Sequence, residues 1–174
     1  MILPELIVFD LDFTLWDCGG TWCDCLSPPF RLRGNRIVDR GGRHVRFYSD
    51  VVSILDLCDE RQIATALASR TEQPEWAKEL LRLLEATHRF AFSEIYPSSK
   101  LKHFASLSRS TGVAYDRMLF FDDEMRNIHE VSDLGVTSVL VEDGLTRKVF
   151  DNGLERFSQK HAYWISVVEP ATTR

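Results

Sequence analysis

The chain has 174 residues, 44% of them hydrophobic and 27% charged, with a formal charge of −5. This is the composition of an ordinary globular chain, not a disordered one, and its length suits one domain of roughly 100–200 residues. The acidic balance argues against a general nucleic-acid partner, and no apolar stretch approaches the ~18 residues of a membrane span.

The start, "MILPELIVFD", has no basic n-region and no small-residue cleavage site, so the expectation is a cytoplasmic chain; a monomer is expected. "LIVFD" (6–10) predicts a strand buried on both faces. Residues 17–48 read as an insertion, a flap rich in Gly, Pro and Arg, in which "RIVDRGGRHVRFY" predicts a β-hairpin turning at Gly41-Gly42. Cys18, Cys23 and Cys25 lie in this segment and Cys58 beyond it. They lack a paired C-x-x-C and read as reduced thiols, not as a zinc site. Next come a helix at 49–62, a strand at 63–69, and a helix at 73–86 with Pro74 in its first turn. A short strand at 94–97 precedes a helix marked by Leu101, Phe104 and Leu107. "MLFFD" (118–122) is a strand, followed by a helix striped by Met125, Ile128, Val131 and Leu134 and stopped at Gly135. A strand at 137–141 and a helix at 145–160 follow, with 1–165 as one domain and 166–174 as a frayed tail. Strands alternating with helices predict an α/β fold, a Rossmann-like doubly wound parallel sheet.

In such a sheet, ligands bind at the carboxyl ends of the strands, where the strand order switches. The predicted strand ends deliver Asp10 and Asp12, Ser69 and Arg70, Lys100, and Asp122 and Asp123 to one edge. Each has a plainer reading alone: Asp10 and Asp12 as loop solvation, Ser69 as a strand-end cap, Lys100 as a surface lysine, and the Asp122–Asp123 pair as helix N-terminal charge. Their recurrence at four strand ends points instead to phosphoryl transfer with a hard cation. Carboxylate oxygens suit Mg²⁺, a carboxylate can attack phosphorus, and a cation with a lysine relieves the repulsion among the acids. The arginines of the flap (Arg31, Arg33, Arg36, Arg40, Arg43 and Arg46) read as a solvated face able to steer anionic substrates.

"DLDFT" matches the D-x-D-x-T signature of the haloacid dehalogenase superfamily, and Ser69, Lys100 and Asp122–Asp123 fall where its later motifs belong. Within it, the chain most resembles the magnesium-dependent phosphatase one family, through "VFDLDFTLW", "PPF", "ASRTE", "EIYPSSK", "TGV" and "FFDDEMRNI" in order, over about residues 5–160. The resemblance implies a small flap and no large cap domain. It implies that Asp10 is the nucleophile and a Mg²⁺ ligand, and that Asp12 is the general acid/base and binds Mg²⁺ through its carbonyl. Ser69, Arg70 and the Leu11 N–H would contact phosphate or substrate. Lys100 would stabilise nucleophile and phosphate, and Asp123 would ligate the metal with Asp122 behind it or in its place. The expected substrates are phosphotyrosine-type phosphoproteins or small sugar phosphates, including glycated amine phosphates. Ser98 stands where the family has Gly and Phe13 where it has Tyr, and "DCGGTWCDCLS" departs further, so no substrate contact carries over there. Rival readings are a phospho-accepting receiver domain, a phosphoryl- or acyl-transferase on the same scaffold, and an inactive binding module. A receiver does not need Asp12 and Thr14 at this spacing, and an inactive module would not fill every catalytic position.

Overall fold

The structure is a computed structural model and describes residues 1–34 and 36–168. Leu6–Phe9 form β1 with all four side chains buried, as a run without polar residues requires when both faces of a sheet are covered. Four short strands follow: β2 (Trp16–Asp17), β3 (Arg31–Arg33), β4 (Arg36–Val38) and β5 (His44–Phe47). The rest of the chain alternates: α1 (Val51–Glu60), β6 (Ala64–Ser69), α2 (Pro74–Leu83), β7 (Phe92–Ile95), α3 (Lys100–Thr111), β8 (Met118–Asp122), α4 (Met125–Ser132), β9 (Thr137–Leu140) and α5 (Arg147–Val168). The elements expected from sequence are present with shifted ends. The strand expected at 94–97 runs Phe92–Ile95, because Pro97 has no N–H to continue a ladder. Helix α5 continues past 160 to Val168, so residues 166–168 of the expected tail are helical, and residues 169–174 lie outside the described residues.

The five long-range strands form one parallel sheet in the order β7-β6-β1-β8-β9, with Leu6 opposite both Ala64 and Met118. Alternation divides the core in two. Leu6, Val8, Ala66, Phe120 and their neighbours pack against Phe104 and Leu107 of α3 and Ile128 and Val131 of α4. Ile7, Phe9, Leu67 and Phe121 face Ile54 of α1 and Phe150, Leu154 and Phe157 of α5. The fold is therefore doubly wound, and the order reverses beside β1, which fixes where a ligand crevice opens.

Gly153 lets α5 come close to that sheet. A Cβ there would lie 2.6 Å from Phe121 Cζ, and Phe121 is stacked between Phe9 and Phe150 with both centroid distances 5.7 Å. Gly153→Ala should therefore destabilise the fold by about 1–3 kcal/mol, through overpacking that outweighs the gain in helix propensity. Urea denaturation measures it, and a variant at least as stable as the parent would refute this account.

The flap strands form a separate antiparallel sheet in the order β2-β5-β4-β3. The expected hairpin about Gly41-Gly42 is its middle, with Ile37 opposite Val45. Asp39 staples the turn: its carboxylate accepts the Ser27 N–H at 2.9 Å and the Arg43 N–H at 2.8 Å. Although burial opposes ionisation, those backbone donors hold its pKa below the usual range. The inner face, with Ile37, Val45 and Trp16, joins the same core as α1 and α5. The strand ends thus carry a small flap and, among the described residues, no large cap. Among the same residues, no helix is long and apolar enough to cross a membrane.

Candidate active site

Because β1, β6 and β8 are adjacent and parallel, their ends bring Asp10, Ser69 and Asp122 to one edge. A hollow of about 270 Å³ opens there, lined by Asp10, Asp12, Ser69, Arg70, Lys100 and Asp123, with Trp22 and Asp24 from the flap and Asn127 from α4. Lys100 begins α3 and is 1% exposed. Its ammonium donates to Asp10 Oδ1 at 2.6 Å, pairs with Asp122 Oδ2 at 2.9 Å, and also donates to the Ala68 carbonyl. All three of its hydrogens are thus committed. The two carboxylates outweigh the desolvation and hold its pKa above the ordinary lysine value.

The two β8 carboxylates have different surroundings. Asp122 is fully buried; its Oδ1 accepts the Glu124 N–H at 2.8 Å and the Asn127 Nδ2–H at 3.0 Å. Asn127 in turn accepts from Arg70 Nη1 at 3.2 Å. A chain of contacts therefore runs Lys100–Asp122–Asn127–Arg70 beneath the hollow. Asp123 faces the hollow itself, and burial together with the Asp122 charge pushes its pKa up to about 7.

Asp10 Oδ1 is held by Lys100, and Oδ2 has no hydrogen-bond partner among the described residues. Burial raises its pKa well above the ordinary value, with Asp122 and Asp12 adding to it and Lys100 opposing. Asp12 is steered through one oxygen. Its Oδ1 accepts from Trp16 Nε1 at 2.7 Å, the Cys23 N–H at 3.0 Å and Cys18 Sγ at 3.6 Å, which leaves Oδ2 to exchange a proton. Desolvation raises the Asp12 pKa against those three donors. Phe13 turns the chain with φ of +56°, and the Leu11 carbonyl accepts from Leu15 N at 2.9 Å and Trp16 N at 3.1 Å. That tight turn returns Asp12 to the hollow that Asp10 lines. The Ser69 hydroxyl oxygen accepts the Thr71 N–H at 3.4 Å, so its own hydrogen is available to a ligand.

Six acids (Asp10, Asp12, Asp24, Glu72, Asp123 and Glu124) thus border a space whose buried cation is already paired twice. This donor set suits a hard cation. Among the described residues, no group of three or more His, Cys, Asp or Glu side chains gathers to hold a metal. A cation bound here would need further oxygen ligands beyond these side chains, and Mg²⁺ commonly keeps several waters.

Residues 2–160 match the family described as acid phosphatase. The chain belongs to that family. Human magnesium-dependent phosphatase 1 is 42% identical to this acid phosphatase family member over 159 residues, covering 90% of this chain and 89% of the human one. A HAD-like hydrolase superfamily protein of Schizosaccharomyces pombe is 37% identical over 147 residues, covering 77% of this chain and 83% of its own. The crystal structure of a HAD-superfamily hydrolase from Ehrlichia chaffeensis superposes with a TM-score of 0.62 at 13% identity, covering 91% of this chain and 98% of that one; it speaks to the fold alone.

Asp10, Asp12, Ser69, Arg70, Lys100 and Asp123 all border the one hollow; Leu11, between the two aspartates, is buried and does not line it, and its N–H is free of partners among the described residues. Asp122 lies behind Lys100 and does not line it. Sequence reasoning missed Asn127, Asp24 and the bond that Trp16 gives Asp12. Asn127 shares a helix face with Val131, so a polar residue in that apolar stripe was the available signal. Trp16 is fully buried, and its indole N–H is what fixes Asp12. Asp24 accepts the Thr71 hydroxyl and, at 3.2 Å, the Glu72 N–H, tying the flap to the loop after β6.

Proposed function

We propose that this magnesium-dependent phosphatase of the haloacid dehalogenase superfamily hydrolyses phosphate monoesters through an aspartyl-phosphate on Asp10. The observation that carries the reading is the Asp10 carboxylate, with one oxygen held by Lys100 at 2.6 Å and the other open to the hollow beside Asp12. Asp10 Oδ2 attacks phosphorus, the bond from phosphorus to the leaving oxygen breaks, and Asp12 gives that oxygen its proton. Water then attacks the phosphorus of the aspartyl-phosphate while Asp12 accepts a proton from it, and the bond from phosphorus to Asp10 breaks to release phosphate. Asp10, Asp123 and the Asp12 carbonyl would hold Mg²⁺, which supplies charge to offset the phosphoryl oxygens. Ser69 and the Leu11 N–H hold phosphate oxygens, Arg70 meets the substrate, and Asp122 fixes Lys100. With its own hydrogens committed, Lys100 acts on the phosphate through its field.

The substrates are phosphotyrosine-type side chains or small sugar phosphates, including glycated amine phosphates, since a small flap leaves room at the mouth for a bulky leaving group. A cytoplasmic monomer is the setting we propose, where Cys18, Cys23, Cys25 and Cys58 stay the free thiols they are in this structure.

Turnover of p-nitrophenyl phosphate should require Mg²⁺ and stop on adding EDTA; activity indifferent to EDTA would reject this reading. The pH dependence follows from Asp123, whose pKa is about 7. The cation binds the ionised carboxylate, which is fully present above that value and is lost on acidification. The Mg²⁺ concentration for half-activation should therefore rise below pH 7, by up to about tenfold per pH unit. A flat dependence between pH 5.5 and 8 would contradict it. Asp12→Asn should let phospho-enzyme accumulate in acid-quenched samples, because the second step lacks its base. If no labelled protein forms from a good-leaving-group substrate, the covalent route is wrong.

A further inference from the structure

The outward face of the flap gathers most of the arginines of residues 31–46. Registers across β3, β4 and β5 set Arg31 opposite Val38, Arg33 opposite Arg36 and Val38 opposite His44. Side chains alternate along a strand, so Arg31, Arg33, Arg36, His44 and Arg46 share one face, while Ile37, Val45 and Phe47 turn to the core. Those five are exposed, whereas Ile37 and Val45 are buried; Leu32, opposite Ile37 on the edge strand β3, is also exposed, at 57%. Of those five, only Arg46 has an ion-pair partner among the described residues, Asp17 at 3.7 Å. Residues 31–46 hold six arginines and one aspartate in a chain of formal charge −5, and that aspartate, Asp39, is spent on the backbone of Ser27 and Arg43. A hollow of about 190 Å³ lies on this face, lined by Pro29, Arg31, Arg33, Val38, Asp39 and Arg40. The hairpin also adjoins the active-site mouth: Arg40 N–H donates to the Ser27 carbonyl at 2.8 Å, and Arg43 Nη1 to the Cys25 carbonyl at 3.2 Å. Cys25 follows Asp24, which lines the catalytic hollow.

We infer that this face docks an acidic extended segment of a phosphorylated protein substrate. Arginine forks suit carboxylates in pairs. Three strands spaced about 4.8 Å apart make a platform roughly 10 Å wide, enough for a peptide and too narrow for a membrane or a duplex. A large flat polyanion would also press against the acidic remainder of the molecule.

The binding arm uses fluorescence anisotropy of an unphosphorylated peptide with five glutamates, with neutral peptide, phosphatidylserine vesicles and double-stranded RNA as competitors. The acidic peptide should bind more tightly than the neutral one and weaken with salt. Equal binding of the two peptides, or stronger capture by vesicles or RNA, overturns the inference. The kinetic arm, which rests on the phosphatase reading, compares a phosphotyrosine peptide flanked by glutamates with a neutral-flanked one. The triple variant Arg31→Gln, Arg33→Gln, Arg36→Gln should lose about tenfold in kcat/KM on the acidic peptide through KM, as three exposed ion pairs together supply. Its p-nitrophenyl phosphate turnover and melting temperature should match the parent, and the Arg→Lys triple should recover part of the loss. An undiminished acidic preference in the Gln variant overturns the inference. Absent p-nitrophenyl phosphate turnover in the parent defeats the phosphatase reading instead, and leaves the anisotropy result to stand alone.

Discussion

Asp10→Asn should remove turnover by at least about 10⁴-fold while leaving the protein as stable as the parent or more so. The carboxamide is a poor nucleophile and carries no charge. It fits the same volume, and Lys100 keeps Asp122 and the Ala68 carbonyl as partners. The stability half follows from sign. Burial, with Asp122 and Asp12 near, raises the Asp10 pKa against the pull of Lys100, so the folded metal-free site disfavours the ionised carboxylate relative to the unfolded chain. That penalty is absent at low pH and grows as pH rises past the unfolded value, and a neutral residue escapes it. Thermal melts at pH 7 in EDTA, alongside assays in Mg²⁺, test both halves. Retained activity would reassign the nucleophile, and a melting temperature several degrees lower would show that Lys100 dominates the balance.

Lys100→Met should cost more stability than any other change at the site. It leaves Asp10 and Asp122 facing each other, with side chains 12% and 0% exposed. Breaking a buried ion pair by removing one partner costs about 3–5 kcal/mol, which for a chain of this size lowers the melting temperature on the order of 10 °C. Without the ammonium nothing opposes burial in raising the Asp10 pKa, so the damage should be worst at pH 8 and ease toward pH 5. Adding Asp122→Asn should restore much of the loss, because one buried charge is gone. Equal destabilisation at both pH values would mean the lysine acts through packing alone.

The reason some of this was legible in the sequence and some was not lies in distance along the chain. Asp10, Ser69 and Asp122 end apolar runs, so their placement at one edge follows once the runs are strands of a parallel sheet. Lys100 follows the short strand β7 and needs only the next helix start. The split between Asp122 and Asp123 was not readable, because residue parity at a strand end depends on where the last ladder bond falls. Asn127 depends on the rotation of α4 about its axis, and Trp16 and Asp24 on how a flap of two- to four-residue strands closes over the site. Those strands are too short for periodicity to show, and only the Gly41-Gly42 turn between β4 and β5 carried a local signal.

The position of β1 sets a timetable for the newborn chain. Its partners begin at Ala64 and Met118, so the first strand made is flanked on both sides only after β8 has emerged. At about 5–20 residues per second during synthesis, Asp10 and Asp12 spend seconds in water with ordinary acidities and no lysine beside them. Such distant pairing is also slow to form. The sheet edge that carries Asp10 and Asp12 is therefore incomplete in every truncated product that stops short of Asp122, however much of the flap it contains.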